Sequence, residues 1–223
     1  MENYLRATPF FDYDHPAVEA WVQQHLAGVA DDPVAQIKAL YLAVRDSIQY
    51  NPYVFRTEPR TLSASYALES GETYCIPKAV LLGAAARSIG IPSRLGLADV
   101  RNPLSSPKLI EWLQSDVFRM HGFIELYLNG RWVKATPAFN QQLCQMMKVD
   151  PLEFDGVNDS VFQEFTEDGH AHMEYINDHG VFDDVPFDFI LEGLQAAYGH
   201  LFTPQGEADP VSGSHGAGRA RTH

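Results

Sequence analysis

Two side chains in this sequence, Cys75 and His121, have the settings of a nucleophile and its base. Cys75 lies in Gly71-Glu72-Thr73-Tyr74-Cys75-Ile76-Pro77-Lys78, just ahead of an apolar helical run, and His121 lies in the strand-like Met120-His121-Gly122-Phe123-Ile124-Glu125. A thiol in the first turn of a helix meets unpaired N–H groups and the positive end of the helix dipole, and both favour a thiolate. An imidazole within reach completes a pair able to attack a carbonyl. The Cys75 N–H is the expected oxyanion donor. Lys78, one turn on, is expected to add positive charge near the sulfur, and Tyr74 and Trp132 are expected to wall the cleft.

The elements that must carry these groups follow from pattern. Residues 14–28 and 32–47 read as helices, the second with Asp32 as N-cap and Pro33 at its first position. The cysteine helix, 75–89, contains Ala79-Val80-Leu81-Leu82-Gly83-Ala84-Ala85-Ala86, apolar all round, and so must be buried on most faces; it stops at Gly90 before Ile91-Pro92. A strand at 93–100, a short helix at 107–115, and strands at 117–128 and 131–136 come next. Helices at 140–148 and 187–199 complete the ordered part, with a second hairpin expected at Asp168-Gly169. The fold class is α+β: N-terminal helices and a buried cysteine helix on an antiparallel sheet. One domain is expected over 1–202, with a core at about 30–140 and an elaboration at 141–202. The Gly/Ser/His/Arg-rich stretch 203–223 reads as a disordered tail.

Asn129-Gly130 between alternating strands predicts a two-residue type I′ turn and fixes a register. Tyr127 then opposes Trp132, Glu125 opposes Lys134 and Phe123 opposes Thr136. His121, Phe123, Glu125, Tyr127, Trp132, Lys134 and Thr136 share the more polar face, and Gly122, Ile124, Leu126, Leu128, Val133 and Ala135 the core face. Thr136 becomes the diagonal neighbour of His121, roughly 7–8 Å away. The Glu125/Lys134 pair reads as exposed.

A Gly-x-x-x-Cys segment leading into an apolar helix, Arg87-Ser88-Ile89-Gly90-Ile91-Pro92, then His-x-x-x-Glu-x-Tyr and Asn-Gly-x-Trp-Val together resemble the transglutaminase-like superfamily over about residues 30–140. The resemblance implies a papain-like core in which Cys75 is the nucleophile and His121 the base. It also implies a third, acidic residue after the Trp-Val strand, where this chain has Thr136 in Trp132-Val133-Lys134-Ala135-Thr136-Pro137. A threonine oxygen can accept the imidazole N–H but carries no charge to stabilise an imidazolium. Asn140 is the alternative orienting residue, and Asp99 and Asp116 are further candidates. The implied function is acyl transfer, with hydrolysis of an amide or peptide bond ahead of transamidation. The rival reading is a catalytically silent binding or scaffold module.

The formal net charge of −13 in 223 residues repels phosphate backbones and anionic bilayers, so neither nucleic acid nor membrane is an expected partner; a peptide, protein or small amide substrate is. No secretory or membrane-spanning pattern is present in the sequence, and a cytoplasmic protein is expected. Two cysteines without a CxxC pair fit a reducing compartment, and Cys144, among apolar neighbours at helical spacing, reads as core. His170, His172 and Glu174 alternate as metal ligands on a strand would, with His179 as a third possible histidine. An exposed strand face is the favoured reading of that segment, and neither metal nor cofactor is expected.

Overall fold

Prolines open the first two helices because their fixed φ suits the first turn and their missing N–H is not needed there. In the structure, a computed structural model that describes residues 1–102, 105–161 and 173–202, α1 spans Pro16–Leu26 and α2 spans Pro33–Ser47. Asp32 caps α2, its carboxylate accepting from the Ala35 N–H at 2.8 Å. A two-residue strand β1 (Gln49–Tyr50), helix α3 (Ala64–Ser70) and strand β2 (Glu72–Thr73) lead to the cysteine helix α4, Cys75–Ser88. Pairing of β1 with β2 is parallel. Beyond α4 come β3 (Ser93–Arg101), α5 (Pro107–Leu113), β4 (Val117–Leu128), β5 (Arg131–Ala135), α6 (Gln141–Met147), β6 (Glu174–Phe182) and α7 (Phe187–Tyr198).

Every residue of α4 from Cys75 to Arg87 is buried, as a helix without a polar stripe requires. One side of it meets α1, α2 and α3, and the other meets the sheet, whose order is β5-β4-β3-β6 with all pairs antiparallel. Ile124, Leu126, Leu128, Val133 and Ala135 join the α4 side of the core, which is the face the register predicts. The two charged side chains of α4 are satisfied internally. Lys78 Nζ donates to the carbonyls of Arg45 and Ile48 at the end of α2 (2.8 and 2.5 Å), and Arg87 spreads its guanidinium over Ser93, Arg6 and Asp183 backbone oxygens. Lys78 is thus a buried tie between helices and not a cation beside the sulfur. Burial lowers its pKa to about 7.

The hairpin forms as its turn chemistry demands, with Asn129 at φ 50° and Gly130 at φ 83°. Leu128 pairs with Arg131, Tyr127 with Trp132, Glu125 with Lys134 and Ile124 with Ala135. The ladder ends there. Thr136 turns away and donates its N–H to Ser160 O at 2.9 Å, so it never directly opposes Phe123. The second face of the sheet is also covered: Phe123 lies over Gly96, and Glu125 is buried against Arg94 at 2.6 Å. Lys134 instead sits 5.1 Å from the Phe123 ring centre, so the Glu125/Lys134 surface pair does not form. The predicted Asp168-Gly169 turn, the His170/His172 alternation and the segment from 203 lie outside the described residues. Among the described residues no helix is long and apolar enough to cross a membrane, and no cluster of three metal-ligating side chains occurs.

Candidate active site

Cys75 is the first residue of α4, with Tyr74 as an extended N-cap. The N–H groups of the first turn have no acceptor within the helix. From the sheet side, the Gly122 N–H of β4 points at Cys75 Sγ from 3.4 Å. That approach is possible because residue 122 has no side chain. A Cβ there would lie 2.9 Å from the Ile76 Cα and 3.2 Å from the Ile76 N, against backbone that cannot swing aside. Gly122→Ala should therefore push β4 off the start of α4 and destabilise the protein by about 1–3 kcal/mol. Urea unfolding checks this, and an unchanged midpoint would mean that the two backbones do not meet.

His121, the residue before Gly122, is only 3% exposed. It lines the same cleft as Cys75, a space of about 650 Å³ counting the part continuous with solvent. On its other side the ring borders a smaller cavity shared with Thr136, Ala138 and Phe139. His121 Nε2 and Thr136 Oγ1 are both buried without a hydrogen-bond partner among the described residues, as is the Tyr74 hydroxyl. The alternative orienting groups are engaged elsewhere. Asn140 Oδ1 accepts the Tyr50 N–H at 3.3 Å, and Asp116 faces Arg101 at 3.5 Å on the surface. Asp99 accepts from His179 Nε2, the Met120 N–H and the Arg119 guanidinium. His179 is therefore a carboxylate partner.

Electrostatics correct the expected thiolate. Burial pushes the Cys75 thiol up to about 11, outweighing the Gly122, Ile76 and Cys75 N–H groups that favour the anion. Burial also drives the His121 imidazole down to about 4. The cleft is thus lined by a neutral thiol and a neutral ring. Cys144, the other thiol, is fully buried in α6 and away from this cleft.

The cleft walls are apolar and largely aromatic. Tyr74 lines it, together with Tyr50, Phe55 and Trp112. Trp132 does not line it: that indole lies opposite Tyr127 at the turn end of the hairpin, well along β4 from His121, and packs against Tyr4, Tyr127 and Arg94. The roof consists of Leu194 and Tyr198 of α7 with Leu201 and Phe202 beyond it. The apolar periods of α5 (Leu109, Trp112, Leu113) and α7 (Ile190, Leu194, Tyr198) were the available signal for these walls.

A family model described as the transglutaminase-like superfamily matches residues 19–137, which include Cys75, His121 and Thr136. No match was found among curated proteins. Among solved structures, the chain is similar to a candidate cysteine protease from Cytophaga hutchinsonii, with 16% identity and a TM-score of 0.46. The likeness covers 60% of this chain and 40% of that one.

Proposed function

The chain belongs to the transglutaminase-like superfamily, and from that premise we propose that it is a cysteine acyl-transfer enzyme that hydrolyses an amide or peptide bond, with Cys75 as nucleophile and His121 as proton carrier. The supporting observation is the sharing of one apolar-walled cleft by the sulfur and the imidazole, at a helix start where backbone N–H groups converge on the sulfur. The reaction begins from neutral partners. As Cys75 Sγ bonds to the carbonyl carbon, its proton passes to the ring of His121 and the carbonyl oxygen becomes an oxyanion. A buried ring that resists protonation at rest accepts the proton here, since negative charge forming beside it in a low-dielectric site favours the imidazolium. The first-turn N–H groups of α4 receive the oxyanion. Collapse breaks the C–N bond, and the amine leaves with the proton from His121. Water then adds to the thioester with His121 as base, releasing a carboxylic acid and restoring the thiol. Every proton returns, so the cycle is closed without a cofactor.

Thr136 would be the orienting group in this scheme: its hydroxyl borders the same small cavity as the ring but makes no hydrogen bond to it in the structure, so the scheme requires the two to close on each other during the reaction. The walls of the cleft match an acyl group that is itself apolar or aromatic. Mass spectrometry of the intact protein after exposure to the p-nitrophenyl ester of phenylacetic acid tests the reading. An acyl adduct should form on Cys75, vanish in Cys75→Ala, and form roughly 10²–10⁴-fold more slowly in His121→Ala. An adduct indifferent to both substitutions sinks the proposal. The silent-module reading is favoured by the uncharged Thr136 and the buried thiol. It requires that the wild type never acylate.

A further inference from the structure

The geometry points to Asp99 as a positioning residue that sets His121 in place through the backbone of Met120, without touching the imidazole. Its place is opposite an irregularity in β4. Ala98 pairs with His121 but Val100 pairs with Phe118, so one residue of β3, Asp99, faces two of β4, Arg119 and Met120, and one residue is extra. Met120, immediately before His121, has φ 55°, a conformation unfavourable for any residue with a side chain and sustained only where its surroundings enforce it.

Those surroundings are identifiable. At a bulge the backbone N–H groups lose their ladder partners and need others. Here side chains supply them: Tyr198 Oη accepts the Arg119 N–H at 2.8 Å, and Asp99 Oδ1 accepts the Met120 N–H at 3.1 Å. The Asp99 carboxylate is 2% exposed and is itself fixed by His179 Nε2 and Arg119, each at 2.8 Å. The Met120 side chain packs onto Gly193 of α7, where a Cβ would collide with it. Three of these groups, His179, Gly193 and Tyr198, belong to β6 and α7, outside the residues 19–137 of the family match. The C-terminal elements therefore do more than roof the cleft. They lock the bulge from which His121 projects, and Asp99 is the joint between them and β4. The acid missing at position 136 has a counterpart that acts on the backbone.

The functional consequence rests on His121 being the proton carrier, but the placement of the ring is measurable without activity. Side-chain ¹³C-labelled histidine NMR, with His121 assigned through His121→Gln, reads the ring's titration midpoint. In the wild type the ring should remain neutral down to about pH 4. In Asp99→Ala the released bulge should let water reach the ring, raising the midpoint by at least one pH unit and slowing Cys75 acylation at least tenfold. Glu125→Gln is the control: it breaks another buried carboxylate pair between the same two strands, with Arg94, and should lower stability without moving the ring. A folded Asp99→Ala with an unchanged midpoint overturns the proposal, and so does an equal shift in Glu125→Gln. If Asp99→Ala does not fold, Asp99→Asn decides. Its single acceptor oxygen cannot serve all three donors, so the midpoint should rise by at least half a unit, and an unmoved midpoint refutes the role. Absence of acylation in the wild type would count against the proposed function alone, because the NMR shift stands apart from it.

Discussion

Iodoacetamide is expected to modify Cys75 in the folded, ligand-free protein about 100-fold more slowly near pH 7.5 than an unperturbed thiol. The thiolate is the reacting species, and burial raises this thiol from 9.0 to about 11, so its anionic fraction at neutral pH falls by about two powers of ten. The rate should climb about tenfold per pH unit and level off only near 11, with peptide mapping separating Cys75 from Cys144. In denaturant both cysteines should react at the ordinary rate. The opposite result, fast labelling with a plateau below pH 8, would mean a resting thiolate–imidazolium pair and would contradict the effect of burial on both groups. The distinction matters for mechanism. A preformed ion pair reacts with any electrophile, whereas a neutral pair reacts when a bound carbonyl lets proton transfer accompany attack. Slow alkylation together with His121-dependent acylation is therefore the joint signature of the proposed reaction.

Much of the site was legible because its determinants are local. A helix without a polar face must be buried, and Cys75 at its first position follows from Tyr74 and the apolar run after it. The Asn129-Gly130 turn set a register that holds from Leu128–Arg131 to Ile124–Ala135, since the bulge in β4 falls on the other side of His121. What pattern could not convey was distance across the fold. Glu125 chose Arg94 on β3 over Lys134 on β5, and Trp112 took the place in the cleft expected of Trp132. The thiol's protonation is hidden from sequence for a related reason. A helix N-terminus is visible in sequence, whereas the α7 roof that removes water from it comes from more than a hundred residues later. Gly122 and Asp99 give no periodic signal, and their roles appear only once β4 lies against α4 and β3.

Acid should weaken the fold in a window that identifies His121. Its ring has a pKa lowered from 6.5 to about 4 by burial, so the folded protein binds fewer protons than the unfolded chain between those values. Stability contributed by the buried neutral ring is complete above pH 6.5 and is lost progressively as pH falls through 4, by about 3 kcal/mol in all. The carboxylates act in a different range. Asp46 and Asp99 have pKa values lowered from 3.8, burial opposing and their hydrogen bonds prevailing, so their contribution persists until the pH falls below 3.8. Urea unfolding at half-unit steps from pH 7.5 to 4.5 should thus show a decline in the wild type that His121→Gln largely removes. An equal decline in both proteins would place the proton uptake elsewhere and leave the buried neutral imidazole, on which the neutral-pair chemistry depends, without support. The same contrast separates the ring from the cleft: Cys75→Ala opens space beside His121 without removing it, and should keep the acid decline while lessening its depth as water gains access to the ring.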